Sequence, residues 1–501
     1  MPAKQYIQVC VPLKLDFNPW YSTAEEVHIG QRVEVVLARR TYVGVVVSIG
    51  GEPDVETVLP VKVADTGLAD ITPEELKLWE FVASYYMCTI GEVYKAAYTA
   101  ERLRLERTSA RMAARKKTKS EPEPKAYQDA IDFGEKPVLL RGTSRVPYYL
   151  DEIRRTLDTG RNVLILEPET DFGFNLRDAL HRALKDSLLF YGTTSGQKEK
   201  RMVMEAVRGS SGPVAVIGVR SSVFLPWTNL GLVIVDEEQD ASFKQSESSP
   251  LYNGRDVAVV LARLHGARLL LGSACPSLES LYNSIIGKYD MLNLPDPDPA
   301  SVEVIDIPAE RHKRGMVGNY SRKALEEIAA LPDDALITIV RCYQTEEDAA
   351  AELREVLPGR DPQLLSAPAA RRAPGRRALT LLLNADALFD RSDFRADEKA
   401  LQLLCALKAH TDRLIVQCGA ASHPVYRALA GDRATEDAAI AELLSERKKY
   451  KLPPYTRLVD MRDKVSIVRR EVLQRDSSLS ERKKELKLQY GALYLFDVDP
   501  L

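Results

Sequence analysis

Between Pro137 and Asp290 the chain alternates short apolar runs with helix-length segments, and this alternation constrains the fold more than any other feature. The runs "PVLLRG", "NVLILEPE", "PVAVIGV", "LGLVIVDEE" and "ARLLLGS" are apolar at successive positions, not at every second one. Strands of that kind are buried on both faces. The segments between them, such as "PYYLDEIRRTLDTG" and "GRDVAVVLARLHG", carry helical spacing. Strands and helices in alternation predict a parallel, doubly wound sheet. Ligands of such sheets sit outside the carboxyl ends of the strands, so the polar residues that close each run are where chemistry is expected.

Two of those ends carry it. "LGLVIVDEEQD" places Asp236 and Glu237 directly after a buried strand. A nucleotide motor uses such a pair to hold Mg2+ through one carboxylate and to polarise the attacking water with the next. The same letters also occur as a plain strand-to-loop transition, and spacing alone leaves both readings open. In "LLLGSACPS" the turn from Gly272 to Ala274 is small and carries the hydroxyl of Ser273. Motors use such a turn to couple nucleotide state to a second lobe.

The flanking regions are of other kinds. Residues 6–50 alternate strand-like runs with Gly30, Gly44, Gly50 and Gly51, which reads as a small β-rich module. A helix over 73–98, opened by Thr72 as cap and Pro73, is expected to close it. Residues 101–119 hold eight Lys or Arg against two Glu and run into "SEPEPK", a basic segment followed by a linker. It is either a solvated connector or a phosphate-contacting segment. After "SVEVIDIP" a second, smaller βα region follows: "ALITIVRCY", a helix over 346–357, "ALTLLLNAD" and "RLIVQCG". The tail has "PPYTRLVDMRDK", a charged helical stretch near 480–488 and a terminal strand in "YGALYLFDVDPL".

Composition narrows the function classes. With 501 residues and a net charge of −3, nucleic-acid contact has to come from local patches. No apolar run approaches the roughly 20 residues that cross a bilayer, so a cytoplasmic protein is expected. The six cysteines form no C-x-x-C half-site, which argues against zinc, and the six histidines show no ligand-like pairing. Tyr85 and Tyr86 share helical spacing with Trp79 and Val82 and are expected in the core more than on bases.

The run from Val216 to Asn283, containing "LGLVIVDEEQDASFKQ", "YNGRDVAVVLARL" and "LGSACPSLE", closely resembles the PriA family of replication-restart DNA helicases. "VCVPL" with "GQRVEVVLARRTYVGVVV" is similar to that family's amino-terminal DNA-binding domain, and "WEFVASYYMCTIGEVYKAA" to its closing helix. "LLLNADALFDRSDFRADEKALQLL" resembles the second lobe, and "ERKKYKLPPYTRL" with the final "DVDP" the carboxy-terminal domain. The resemblance implies an α/β chain: a helicase-type, RecA-like parallel lobe and a shortened second lobe, with an amino-terminal β-barrel-like DNA-binding domain. It implies boundaries at 1–98 for that domain, 99–134 for a basic linker in place of a winged helix, 135–296 and 297–420 for the lobes, and 421–501 for a shortened carboxy-terminal domain.

The departures from the family decide what is expected of the motor. A phosphate-binding loop needs glycines, a Lys reaching the phosphates, and a Ser or Thr on Mg2+. Here Gly142 is kept, the Gly-Lys-Thr element is absent, and Pro147, Tyr148 and Tyr149 occupy the helix start. Arg145 and Arg161 are the nearby cations, but an arginine fork does not replace a lysine point charge. Gln239 stands where the family has His. The zinc-binding region is missing, since "VRCYQTEEDAAAEL" joins strand to helix directly. The arginine-finger segment has become "LCALKAHTDR", which leaves only Arg413.

The resemblance therefore implies degenerate nucleotide-site positions at Gly142, Gln239 and Ser273 and a vestigial catalytic pair at Asp236 and Glu237. DNA contacts are implied at Phe17, Asn18, Arg39, Arg40, Arg115, Lys116 and Lys117. Asn18 replaces the carboxylate that the family uses at the 3′ end of a nascent strand, and its amide oxygen still accepts. No zinc is expected, and ATP with Mg2+ only if the degenerate site works. The expected partners are branched or forked DNA, primosome and other replication-restart proteins, and single-stranded DNA-binding protein, with no membrane. The leading expectation is fork binding and primosome recruitment without unwinding. The alternatives are an active ATP-dependent 3′-5′ helicase with atypical motifs, and an interaction scaffold that no longer binds DNA.

Overall fold

The computed structural model describes residues 5–55, 58–64, 68–98, 135–169, 174–209, 212–342, 346–373, 375–389, 393–463, 466–491 and 494–500. The basic segment, and with it Arg115, Lys116 and Lys117, lies outside them.

The amino-terminal strands are β1 (Gln5–Cys10), β2 (Trp20–Thr23), β3 (Arg32–Leu37), β4 (Arg40–Ile49), β5 (Leu59–Pro60) and β6 (Lys62–Val63). They form one nearly closed, barrel-like sheet in the order β5-β2-β1-β4-β3-β6, filled by Ile7, Val9, Val33, Val35 and Val46. The expected single helix is two, α1 (Pro73–Tyr85) and α2 (Ile90–Ala97). Met87 adopts φ +52°, which a continuing helix cannot include, and Thr89 with Glu92 builds a second capping box. Trp79 stacks on Tyr94 with ring centroids 5.1 Å apart. The buried Arg32 donates to the Tyr94 hydroxyl at 3.1 Å and ties these helices to the barrel.

The first lobe runs β7 (Val138–Arg141), α3 (Arg145–Asp158), β8 (Asn162–Leu166), α4 (Phe174–Leu184), β9 (Leu188–Tyr191), α5 (Gln197–Ala206), β10 (Ala215–Gly218), β11 (Leu230–Asp236), α6 (Gly254–Leu264), β12 (Arg268–Ser273), α7 (Leu278–Ile285) and β13 (Asp290–Asn293). Its seven strands are all parallel, in the order β13-β7-β12-β11-β8-β10-β9. The five apolar runs supply the centre. β9 and the exposed β13 are edge strands that hydrophobic pattern alone does not mark.

The second lobe comprises β14 (Ser301–Asp306), α8 (Ile307–Lys313), β15 (Met316–Val317), β16 (Tyr320–Ser321), α9 (Arg322–Ala330), β17 (Ile337–Arg341), α10 (Glu346–Val356), β18 (Gln363–Ser366), α11 (Ala367–Arg372), β19 (Arg377–Leu383), α12 (Ala396–Ala409), β20 (Thr411–Cys418), α13 (Pro424–Ala430) and α14 (Arg433–Lys449). Its parallel sheet has the order β14-β20-β19-β17-β18. The chain ends in β21 (Thr456–Arg462), β22 (Ile467–Gln474), α15 (Leu479–Tyr490) and β23 (Leu495–Val498), a three-stranded antiparallel sheet with one helix.

The cores are not divided domain by domain. One apolar cluster runs from Trp79 and Tyr94 through Val233 and Leu271 to Val459 and Leu486, joining the amino-terminal helices, the first lobe and the carboxy-terminal sheet. The second-lobe sheet has a cluster of its own on each face, one of which takes in Cys275 of the first lobe, while Ile440, Leu443 and Leu444 of α14 belong to the shared cluster. Each fully buried Leu, Ile or Val contributes about 1.5–3 kcal/mol, so the shared cluster makes the first three parts one cooperative body.

Candidate nucleotide cleft and nucleic-acid face

Neighbouring strands of the first lobe bring the expected motifs together. β12 lies between β7 and β11, with Asp236 paired to Gly272, Gly272 to Leu140, and Ser273 to Arg141. The Asp236–Glu237 pair, the Ser273 turn and the Gly142 loop therefore meet at one sheet end, which is where such sheets bind nucleotides.

Arg145, the first residue of α3, turns back onto the acidic pair. Its Nε donates to Asp236 Oδ1 at 2.9 Å, its Nη1 to the Gly142 carbonyl at 2.5 Å, and its Nη2 to Glu237 Oε1. One helical turn on, the buried Tyr149 hydroxyl donates to the same Asp236 oxygen at 2.9 Å. Gln239 Nε2 donates to the other Glu237 oxygen at 2.7 Å. Glu237 has φ +50°, a left-handed conformation that a non-glycine residue holds at some cost. Arg145 is only 7% exposed. Burial disfavours its charge, but Asp236 and Glu237 outweigh that and hold the guanidinium protonated well above its ordinary range. Burial first, and Asp236 second, push the Tyr149 phenol well above its own.

The strand between them has made room for this arrangement. A Cβ on Gly272 would stand 1.6 Å from the Tyr149 hydroxyl and 2.9 Å from Arg145 Cδ. The loop amides are also engaged inside the protein: Gly142 N–H donates to the Ser273 carbonyl at 3.0 Å, and Arg145 N–H to the Thr143 carbonyl at 3.0 Å. The Thr143 hydroxyl donates to Asp296 at 3.0 Å. Ser273 is fully buried, and its Oγ accepts from the Cys275 amide at 2.9 Å.

These residues do not fit a magnesium nucleotide. Mg2+ takes oxygen ligands in a near-octahedral shell at about 2.0–2.1 Å, whereas a guanidinium that would repel it holds both carboxylates. Phosphates need convergent backbone donors, and two in this loop are bonded to carbonyls. Arg161 lies elsewhere, donating to the carbonyls of Leu230, His265 and Gly266.

The second lobe is joined to this end of the first by ion pairs, most of them largely buried. Arg141 reaches Glu436 and Asp437 of α14, both at 2.6 Å. Arg371 of α11 pairs with Asp240 at 2.8 Å. Arg395 pairs with Glu279 at 2.7 Å, and Glu398 accepts from the Leu278 amide at 2.8 Å and from Arg447 at 2.7 Å. Burial raises the Glu279 carboxyl, but Arg395, Arg447 and Arg255 lower it more, to about 2. Arg413 is not part of this join: it pairs with Glu303 and Glu327 at the start of β20. The second lobe brings the cation Arg371, in the last turn of α11, beside the acidic strand end.

At the amino-terminal barrel, charge is arranged differently. Arg39 and Arg40 are exposed at the β3–β4 hairpin tip, with Arg39 at φ +64°. β1 runs antiparallel to β4, so the loop 11–19 that leaves β1 emerges at the same sheet end as that tip. Phe17, in that loop, is 66% exposed, and Asn18 is half-buried. The neighbouring Asp16 is engaged by Lys487 of α15, and that hydrogen bond lowers its carboxyl below the ordinary range. Sequence reading passed over Asp16 because its partner is far along the chain. Tyr86 is buried, while Tyr85 is half-buried beneath the Arg457 guanidinium, 4.6 Å from the ring centroid.

Residues 8–99 match the model of the PriA 3′ DNA-binding domain. The replication restart protein PriA of Rickettsia felis is 29% identical over 313 residues, covering 60% of this chain and 47% of that protein. The PriA of Chlamydia pneumoniae is 35% identical over 195 residues, covering 38% and 26%. RecG bound to a three-way DNA junction superposes over 64% of this chain and 42% of its own, with 12% identity and a TM-score of 0.37. The chain spans about half the length, or less, of the curated relatives it matches. With a 3′ DNA-binding domain match at one end and PriA sequence similarity across more than half its length, the chain is PriA-like.

Proposed function

We propose that this chain acts in replication restart by binding forked DNA and holding other restart proteins there, without ATP-driven unwinding. One observation carries the reading: Arg145 and Tyr149 occupy the carboxylates that a motor must leave open to Mg2+ and water. A motor also changes the separation of its lobes in each cycle, and several largely buried ion pairs between them would have to break here. DNA engagement falls to the barrel end with Phe17, Asn18, Arg39 and Arg40, with the basic segment that holds Arg115, Lys116 and Lys117 adding phosphate contacts. Neither zinc nor a bound nucleotide is needed for this role. Primosome proteins and single-stranded DNA-binding protein are the partner classes that follow from the PriA likeness.

The test is ATP hydrolysis by the purified chain with and without forked DNA, run beside fork binding at two salt concentrations. The expected result is no hydrolysis above background and an affinity that falls steeply with salt. Hydrolysis that Asp236→Asn abolishes would overturn the non-hydrolytic half. Fork affinity that is absent or indifferent to salt would overturn the DNA half.

A further inference from the structure

A cavity of about 760 Å3 lies where the four parts of the molecule meet. Its wall takes Tyr85 from α1, Arg263 from α6, Gln402 from α12 and Arg457 from β21, and includes neither Asp236 nor Glu237. Its size is in the range of small-molecule sites, about 300–1,000 Å3.

The charges of the wall do not cancel. Glu238 and Asp256 are both paired with Arg255, Asp240 with Arg371, Glu279 with Arg395, and Glu398 with Arg447. Lys136, Lys288, Arg457 and Arg475 also line the cavity, and none has an ion-pair partner among the described residues. Against them stands Asp499, whose carboxyl burial raises above its ordinary range although Arg457 opposes this. The surplus is cationic, and a concave low-dielectric wall focuses such a field on an anion.

The wall also holds unmet hydrogen-bonding capacity. Arg457 Nε, Arg395 Nε and Gln239 Oε1 are buried and lack hydrogen-bond partners among the described residues. Arg395 is itself only 6% exposed. A buried polar atom left unpaired is costly, so two donors and one acceptor on one wall call for a ligand offering both kinds of group. Tyr85, with Phe81 beside it at 5.3 Å between centroids, adds an aromatic surface.

We infer that this junction cavity binds a nucleotide unit, with phosphate on the cationic side, base against the aromatic side, and a ligand hydroxyl or amino group donating to Gln239. Two sources share that chemistry, a nucleotide within a single strand and a free nucleoside phosphate. The inference stands apart from the fork-binding proposal, because the barrel residues take no part in it.

The test titrates the full chain by calorimetry, without Mg2+, with nucleoside 5′-monophosphates and separately with a short oligothymidylate. Saturable binding of at least one is expected, weakened about tenfold or more by Lys288→Glu and by Arg457→Ala. Lys288 is exposed, so its reversal keeps the test valid if the Arg457 variant misfolds. Binding of the monophosphate identifies the free-nucleotide source, and binding of the oligomer alone identifies the strand. Absence of both, or binding indifferent to Lys288→Glu, would overturn the inference whatever the fork assay shows.

Discussion

The carboxyl end of the first-lobe sheet and the hairpin end of the amino-terminal barrel use charge in opposite ways. At the sheet end, Arg145, Asp236, Arg141 and Asp240 are tied to one another or to the second lobe by short polar contacts. At the barrel end, Arg39, Arg40 and Phe17 stand in solvent. A motor needs groups that can exchange partners as nucleotide comes and goes, and groups already satisfied at low dielectric resist exchange. A nucleic-acid face needs uncommitted cations, since its affinity comes from displacing counterions. On the proposed reading, the fold keeps the second kind of site and closes the first.

The strongest way to break the contrast is Arg145→Ala. It leaves Asp236 and Glu237 side by side with their shared cation gone, and a loss of about 3–5 kcal/mol in chemical denaturation is expected. An unchanged midpoint would mean that the pair is not held by Arg145.

Gly272→Ala is expected next in size, at about 1–3 kcal/mol, because the added methyl meets the Tyr149 hydroxyl. Adding Tyr149→Phe removes that oxygen and should restore part of the thermal stability. Absence of any rescue would place the clash elsewhere.

Acid should loosen the join between the lobes. The folded-state carboxyl of Glu279 titrates near 2, below its ordinary 4.5. Its contribution is therefore complete above about pH 4.5 and is lost as the pH falls from there toward 2. Limited acid proteolysis should cut between the lobes earlier as the pH falls through that window, and Glu279→Gln should abolish this dependence.

The smallest effect on stability is expected at the barrel end. Arg39→Ala with Arg40→Ala should stay within about 0.5 kcal/mol of the parent, yet lower fork affinity and flatten its salt slope by roughly one per lost phosphate contact. A stability loss without a change in binding would invert the contrast.

Much of the architecture is legible in local pattern. The five central strands of the first lobe read as continuous apolar runs, and the capping boxes at Thr72 and Thr89 mark helix starts. Strands outside the expected runs, β9, β13, β18 and β22 among them, are short or edge strands of mixed or exposed character, held in place by ladder partners and not by their own hydrophobicity. Of the candidate site, Asp236, Glu237, Gly142 and Ser273 were named by position along the chain, and strand register brings all four to one sheet end.

The amino-acid sequence by itself determined the parallel lobe, the acidic pair at its strand end and the absence of a phosphate-loop lysine, because each is written in neighbouring residues. Only the tertiary structure decided that Arg145 and Tyr149 fold back onto Asp236 from about ninety positions away. It alone decided that Arg371 and Arg395 lock the lobes, and that one cavity gathers unpaired cations from the first lobe and the carboxy-terminal sheet. The physical reason is that a side chain's partner is set by which strand ends adjoin, and adjacency in a doubly wound sheet does not follow chain order.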